Sequence, residues 1–327
     1  MTEIRVDPLS GHRSIVASDR AERPGAFFAI EPPAAIDVAE DPFAPGHEDQ
    51  TPPEVYAVRP DGSAPDTPGW TVRAVPNRYP ALIPDAPEPP AEANPDLFTA
   101  ARAAGRHEVI VNAPDAVHSL SDLTLEQVEL AVATWRERMR AHADAACRHL
   151  IVNERPEAGA SLPHTHAQLY AFDFVPAEIA RERERFSAYA VRMMGAGNLL
   201  GDLVQEEVRR RERIVAVDDE AVLIAPWASR SPLQLLIAPR RPTPRFEDDG
   251  PTGAAMLHDA LRRLRAHLGA TPPLNLWLRT APRGADSFCW RVDIVPRLAA
   301  PAGLELGAGV NLCIVAPEAA AAALREL

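Results

Sequence analysis

The segment Gly159-Ala160-Ser161-Leu162-Pro163-His164-Thr165-His166-Ala167-Gln168 places two histidines and a glutamine at alternate positions behind a short turn. On a β-strand, alternate side chains point to the same face, and Cα atoms two residues apart are separated by about 6.5 Å. We therefore expect His164, His166 and Gln168 to share one face of a sheet. Gly159 allows the backbone of the turn to approach a phosphate closely.

Two imidazoles and an amide on one face suit phosphoryl chemistry. A neutral imidazole nitrogen can attack phosphorus while an amide and backbone N–H groups hold the non-bridging oxygens. The same pattern also fits a pair of metal ligands, or two polar residues on a solvated sheet face. The segment alone does not decide between these interpretations.

The sequence around this segment predicts an α+β fold. A helix is predicted for 124–147, where apolar residues recur at helical spacing, and a strand for 150–153. Further strands are predicted at 54–58, 70–75 and 108–111, then a helical region at 177–213 broken near 195–197, strands at 214–217, 221–225 and 233–238, a helix at 253–268, and strands at 274–280 and 288–295. Because the second series echoes the first, we expect two similar halves, 1–195 and 196–327, each an antiparallel sheet with flanking helices.

Composition excludes several classes of protein. The chain has 327 residues, 46% of them hydrophobic, and a net charge of −12. No nucleic-acid partner is expected at that charge. All 34 basic residues are arginines, so Schiff-base lysines and Walker-type phosphate loops are excluded. Three scattered cysteines, an amino terminus unlike a secretory leader, and the lack of an apolar run of about 20 residues predict a cytoplasmic protein with no membrane association.

Six blocks of the sequence resemble, in the same order, segments of the galactose-1-phosphate uridylyltransferase family within the histidine-triad superfamily. The histidine segment resembles the family's G-x-S-x-x-H-x-H-x-Q active-site motif. The other blocks are Ser18-Asp19-Arg20-Ala21-Glu22-Arg23-Pro24, residues 45–54 (PGHEDQTPPE), residues 75–82 (VPNRYPAL), residues 225–230 (APWASR) and residues 292–298 followed by 303–307. The resemblance covers nearly the whole chain.

The resemblance implies a role for each matching residue. His166 would be the nucleophile that forms a covalent nucleotidyl-histidine, with His164 beside it and Gln168 on the α-phosphate. The remaining expected site residues are Ser161 and the backbone at Gly159 and Ala160 for phosphate, Asn77 and Asn153 for the nucleoside, Arg20 and Arg23 for a nucleotide site that in the family can be the partner subunit's, and Arg291 and Glu305 for the sugar.

The implied reaction moves a nucleoside monophosphate between a nucleoside diphosphate sugar and a sugar 1-phosphate, with ping-pong kinetics, in a homodimer. Two alternatives stay open. The first is a nucleoside diphosphate sugar phosphorylase or hydrolase, in which phosphate or water resolves the intermediate. The second is a non-catalytic protein that binds nucleotide sugars. Thr165 stands where many uridylyltransferases have proline, so the base is not assigned.

Two positions depart from the family pattern. Many relatives build a structural zinc site from C-P-F-C, a later histidine and the first histidine of the pair, but this chain has Asp41-Pro42-Phe43-Ala44, and the later histidine aligns with Ala116. Without the two thiolates we expect no zinc and no other cofactor, with His164 held by a hydrogen bond, for example to Asp41. Arg291 stands in place of a family histidine. It suits an anionic sugar substituent or, alternatively, an ion pair with Asp293.

Overall fold

The computed structural model describes residues 2–23, 25, 27–91 and 97–327. In chain order the strands are β1 (Thr2–Val6), β2 (Arg13–Ala17), β3 (Tyr56–Val58), β4 (Val72–Pro76), β5 (Gly105–Val111), β6 (Cys147–Glu154), β7 (His166–Phe172), β8 (Ile214–Val217), β9 (Ala221–Ile224), β10 (Leu235–Pro239), β11 (Leu274–Arg279), β12 (Arg291–Pro296) and β13 (Val310–Cys313). The α-helices are α1 (Leu125–Ala141), α2 (Ala177–Arg192), α3 (Leu199–Arg210), α4 (Ala254–Leu268), α5 (Gly303–Ala308) and α6 (Pro317–Arg325).

Ten of these strands form one antiparallel sheet in the order β3-β4-β5-β7-β6-β11-β12-β10-β9-β8. Read outward from the centre, both halves have the same arrangement, with α1 connecting β5 to β6 and α4 connecting β10 to β11. This confirms the α+β fold with two similar halves. The halves share a single sheet because β6 pairs with β11, from Glu154 opposite Leu274 to Ile151 opposite Trp277. The boundary at residue 195 falls between α2 and α3 and stays a prediction.

The two faces of the sheet have different coverings. Helices α1 and α4 pack on one face, where Ala167 and Leu169 of β7 join the main hydrophobic core together with Trp135 of α1. Because side chains alternate along a strand, His166 and Gln168 point to the opposite face. Alternation in β7 and helical spacing in α1 thus place the polar residues away from the core.

The opposite face is covered by different segments in each half. Helices α2 and α3 cover the second half, where Phe186 and Leu200 pack with Leu236. Over the first half lies the segment that precedes β3. Phe43 of this segment packs with Trp70, which lies between β3 and β4. These coverings leave the reactive end of β7 beside a cavity.

Several boundaries differ from the sequence-based expectation. Helix α1 ends at Ala141, because Cys147 already pairs with Phe172 as the first residue of β6. Strand β7 begins at His166, so His164 precedes the strand. A small sheet of β1, β2 and β13, with β13 parallel to β2, was not predicted. Within the described residues, none of the helices combines the length and apolar character needed to cross a membrane.

The start of β5 requires glycine, and this generates a stability prediction. Gly105 has φ +146°, and a Cβ there would lie 2.3 Å from the backbone oxygen of Ala171. We expect Gly105→Ala to lower the free energy of unfolding by about 2 kcal/mol or more, because neither backbone can move without breaking the β5–β7 ladder. The measurement is urea denaturation, with Gly307→Ala as the control, since a Cβ at Gly307 meets nothing within 4 Å. Equal stability of the two variants would contradict the close approach.

Candidate active site

His166 lies at the first position of β7, where its ring is held by the preceding backbone. Its Nδ1–H donates to the carbonyl oxygen of His164 at 2.8 Å, which leaves Nε2 for the cavity. One ring nitrogen of His166 therefore has a fixed acceptor. The cavity has a volume of about 390 Å³. Its lining comprises Pro42, Phe43, Gln50, Thr51, Pro52, Val75, Pro76, Asn77, Arg78, Tyr79, Val109, Ser161, Leu162, His166 and Gln168.

The surroundings of His166 favour a neutral imidazole. Burial lowers its pKa, and the hydrogen bond to the carbonyl of His164, which acts in the opposite direction, does not restore it to the ordinary value of 6.5. The charge of the neighbouring His164 ring lowers it further. A neutral imidazole keeps the lone pair on Nε2 that a nucleophile needs.

His164 is fixed by two hydrogen bonds inside the protein. Its Nδ1 lies 2.7 Å from Oδ2 of Asp41, and its Nε2 lies 2.9 Å from the carbonyl oxygen of Ala113. The predicted bond between His164 and Asp41 is thereby confirmed. Both ring nitrogens face oxygen acceptors, an arrangement that suits the doubly protonated ring, whose charge Asp41 balances. Burial by itself raises the pKa of Asp41, but the bonds from His164 and the Phe43 N–H bring it below 3.8.

The residues at the family's zinc position do not fit a zinc ion. Ala44 stands where a thiolate would be needed, and the ring nitrogens of His164 are already hydrogen-bonded. His118, two residues after Ala116, instead donates from Nε2 to the carbonyl oxygen of Ala34 at 2.7 Å. In residues 2–91 and 97–327, apart from 24 and 26, no three histidine, cysteine or acidic side chains are grouped to hold a metal ion.

Phosphate-side and nucleoside-side candidates meet at the same cavity. Gln168, Ser161 and Asn77 all line it with His166. The turn before Ser161 is closed on itself, since the Gly159 N–H donates to the oxygen of Pro156 at 2.9 Å and the Ala160 N–H to that of Arg155 at 3.1 Å. In this structure those two backbone donors are therefore engaged within the turn, although both were expected at the phosphate.

A second group of expected residues lines another cavity. Arg20, Arg23 and Glu305 border a space of about 640 Å³ that His166 does not line. Asn153 lies on β6 opposite Asn275, another residue of this lining, and accepts a hydrogen bond from its amide at 2.8 Å. Within one chain, the structure therefore places Arg20, Arg23 and Glu305 at a different cavity from His166, Gln168, Ser161 and Asn77.

Arg291 lines neither of these two cavities. Its guanidinium donates to both oxygens of Glu182, at 2.8 and 3.0 Å, and to Asp293 at 2.9 Å, and only 2% of the residue is exposed. The ion pairs raise its pKa, and the pKa of Glu182 falls to about 2 because the two arginines beside it outweigh its burial. Pairing with Asp293 was the alternative interpretation, and it is the arrangement the structure contains. The sugar-side role gains no support from this geometry.

Two residues beside the cavity were missed in the sequence. His107 on β5 and Tyr170 on β7 lie opposite each other, and both contact the side chain of Gln168. The period-two pattern that selected 164, 166 and 168 continues to Tyr170 and could have found it. His107 can be found only once the pairing register of β5 and β7 is known.

The buried Asp41–His164 pair generates a prediction about stability and pH. Replacing Asp41 by asparagine leaves the His164 ring without its counter-charge, so we expect the free energy of unfolding at pH 7 to fall by about 3 kcal/mol. Because the folded pKa of Asp41 lies below its unfolded value, its contribution is present above about pH 4 and disappears as pH falls through the folded pKa. Urea titrations between pH 7 and pH 3 measure this difference.

The control for that experiment is Asp85→Asn, because Asp85 is exposed. A difference between wild type and Asp41→Asn that stays constant down to pH 3 would contradict the charged pair. Repeating the wild-type titration with a chelator asks whether a bound metal contributes. We expect the unfolding midpoint to be unchanged.

The family follows from comparison with known proteins. The model of the galactose-1-phosphate uridyl transferase N-terminal domain matches residues 1–176, and that of a domain of unknown function, DUF4921, matches residues 99–326. Among curated relatives, ADP-glucose phosphorylase of Arabidopsis thaliana is 25% identical over 99% of this chain and 93% of its own length. Galactose-1-phosphate uridylyltransferase of Haemophilus influenzae is 28% identical over 66% of this chain and 63% of its own length.

Solved structures agree in fold. The structure of an ADP-glucose phosphorylase from Arabidopsis thaliana with bound ADP-glucose has a TM-score of 0.80 at 24% identity, covering 100% of this chain and 99% of that one. A uridylyltransferase structure has a TM-score of 0.75 at 26% identity, covering 100% and 98%. Since the first family model matches more than half of the residues, the protein belongs to the galactose-1-phosphate uridylyltransferase family, as a nucleotidyltransferase-type enzyme.

Proposed function

We propose that this enzyme transfers a nucleoside monophosphate from a nucleoside diphosphate sugar to a phosphate-bearing acceptor through a covalent intermediate on His166. The observation that carries this proposal is the hydrogen bond from His166 Nδ1 to the carbonyl of His164, which leaves Nε2 for the cavity. A buried, neutral imidazole with one nitrogen fixed in this way is an activated nucleophile that needs no separate base.

The first step balances without a proton transfer. The lone pair on His166 Nε2 attacks the α-phosphorus, the bond from phosphorus to the bridging oxygen breaks, and the sugar 1-phosphate leaves with that electron pair. The imidazole then carries a positive charge, which the carbonyl oxygen of His164 stabilises through Nδ1–H. Attack by an acceptor phosphate oxygen reverses the step and restores neutral His166.

Two acceptors are consistent with this chemistry. A sugar 1-phosphate would make the enzyme a uridylyltransferase-like transferase, as the motifs first suggested. Inorganic phosphate would make it a phosphorylase, which is favoured by the relative named ADP-glucose phosphorylase, aligned over 99% of this chain. Both acceptors present a phosphate oxygen to the same intermediate, so the choice between them is a question of which acceptor releases the nucleotide.

The covalent intermediate can be weighed directly. After incubation with UDP-glucose or ADP-glucose and no acceptor, we expect intact-protein mass spectrometry to show wild type heavier by one nucleoside monophosphate, because Nε2 is the attacking atom. His166→Gly should show no gain. The base of the retained nucleotide identifies the donor class. Adding galactose 1-phosphate or inorganic phosphate to the isolated adduct then shows which acceptor discharges it.

The matched control is His149→Gly, since His149 is a partly buried histidine on this face of the sheet and does not line the cavity. It should form the adduct if it folds, which circular dichroism verifies. Nucleotide binding by wild type without any mass gain would contradict the covalent proposal and favour a binding protein or direct hydrolysis.

We also propose that this enzyme keeps its nucleophile in place without a structural zinc ion. The Asp41 carboxylate takes over the role of the zinc ion in orienting His164, because it binds His164 Nδ1 at 2.7 Å in a fully buried position. The chelator arm of the Asp41 experiment tests this proposal, and a chelator-induced loss of stability would overturn it.

A homodimer is proposed to unite the two cavities. Arg20, Arg23 and Glu305 carry charges suited to a phosphate and to sugar hydroxyls, yet they border a cavity without the nucleophile. Placing this surface against the His166 cavity of a second copy would complete the site with residues from both subunits. Nucleoside diphosphate sugar and acceptor would then bind between them.

Mixed dimers test this arrangement. One chain carries His166→Gly, and the other carries Arg20→Ala with Arg23→Ala. If the site is shared between subunits, a mixed dimer contains one site with every native residue, so we expect the mixture to recover up to about half the wild-type activity per mixed dimer while each parent is weak. Activity no greater than the sum of the two parents would place all of these residues within single-chain sites.

A further inference from the structure

His107 lies on β5, between strand β7, which carries His166, and the segment 77–81. It is 7% exposed and stacks on the ring of Tyr170 with centroids 4.1 Å apart. Its Nε2 lies 3.1 Å from Oε1 of Gln168. Neither the proposed nucleophile nor its neighbour His164 uses this histidine, so its two polar nitrogens require a separate explanation.

The backbone settles which nitrogen of His107 carries the proton. The N–H of Ala81 donates to Nδ1 at 3.2 Å, so Nδ1 is the acceptor and Nε2 carries the hydrogen. Nε2–H then donates to Oε1 of Gln168. Burial lowers the pKa of His107, while the bond to Gln168 raises it and leaves it below 6.5, so the ring is neutral at pH 7.

A second donor meets the same amide oxygen. The hydroxyl of Tyr170 donates to Oε1 of Gln168 at 3.1 Å. With both lone pairs engaged, the oxygen is held by the strands, and the amide nitrogen is the group left for the cavity that Gln168 lines. Without these two bonds, the Gln168 carboxamide could rotate and turn its oxygen, instead of its NH₂ group, toward an anion in the cavity.

We propose that His107 and Tyr170 are positioning residues that lock the Gln168 carboxamide with its NH₂ toward the cavity, as a one-way donor to a non-bridging phosphate oxygen. This inference rests on the proposed function for the identity of that phosphate. Because β5 and β7 engage the Gln168 oxygen, the side chain offers the cavity only its N–H donors, which suit an anion.

His107 also holds the nucleoside-side segment. The N–H of Asn77 donates to the carbonyl oxygen of His107 at 2.9 Å, and Ala81 binds the ring at Nδ1. The Tyr79 N–H donates to Oδ1 of Asn77 at 2.8 Å, which fixes that amide as well. Asn77 Nδ2 lies 3.2 Å from His107 Nε2, and since both atoms carry hydrogens in this tautomer, the two do not form a hydrogen bond. His107 thus contacts both Gln168 and the segment 77–81.

A double-mutant cycle separates positioning from a merely structural role. The variants are Tyr170→Phe, His107→Phe and Gln168→Ala, with the two double variants that combine Gln168→Ala with each of the others. Tyr170→Phe removes a single hydroxyl and keeps the stacked ring, so it retains the fold. Two quantities are measured: the single-turnover rate of adduct formation from the nucleotide sugar, and the dissociation constant of AMP and UMP by calorimetry.

We expect Tyr170→Phe to slow adduct formation and weaken nucleotide binding about 3- to 10-fold, as one neutral hydrogen bond would, and His107→Phe to do so at least as strongly. In the Gln168→Ala background the effect of Tyr170→Phe should vanish, because the amide it orients is gone. The effect of His107→Phe should shrink to the part that comes from its bond to Ala81. Tyr189→Phe is the matched control, since the Tyr189 hydroxyl binds Asp202 on the neighbouring helix instead. It should leave both quantities unchanged.

Effects of equal size with and without Gln168 would overturn the proposal, because they would show that the two residues act through the fold alone. Wild type that binds AMP or UMP but forms no adduct would contradict the covalent chemistry only, and the calorimetric cycle would still decide the positioning role. Wild type that binds neither nucleotide would overturn both.

Discussion

A carboxylate and an imidazole buried together hold the reactive end of this enzyme. The Asp41–His164 hydrogen bond is 2.7 Å long, and neither side chain is exposed. Such a pair is stable only when its remaining polar atoms are also satisfied, which the carbonyl of Ala113 and the N–H of Phe43 accomplish. Because the backbone of His164 in turn binds the ring of His166, the orientation of the nucleophile depends on a residue in a distant loop.

Elements whose apolar residues recur with a clear helical or strand period could be predicted from the sequence. Apolar spacing gave α1, and alternation placed His166 and Gln168 on one face. The sheet of β1, β2 and β13 could not be predicted, because Arg13 pairs with Val310 across almost the whole chain and no local pattern specifies that partner. The end of α1 was missed for a related reason, since strand pairing at Cys147 overrides a helix-forming segment.

Site residues were predictable to the extent that their motif also fixes their surroundings. Asp41 could be named as the partner of His164 because both positions belong to one family pattern. Arg291 shows the limit. Its guanidinium was expected to bind the sugar, but it forms an ion pair with Glu182, from a helix 109 residues earlier in the chain. His107 shows the converse, since nothing in the local sequence of β5 assigns it a role until the strand register brings it beside Gln168.

The pairing of β6 with β11 makes the two halves of the chain dependent on each other. Each strand is the inner edge of its own half, and the Asn153–Asn275 amide contact closes the seam between them. Separated at the connection between α2 and α3, either fragment would present an unpaired strand along its apolar flank, the arrangement that invites aggregation. Each fragment supplies the strand that pairs with the exposed strand of the other. We therefore expect the two fragments to complement each other, because the two similar halves share one sheet.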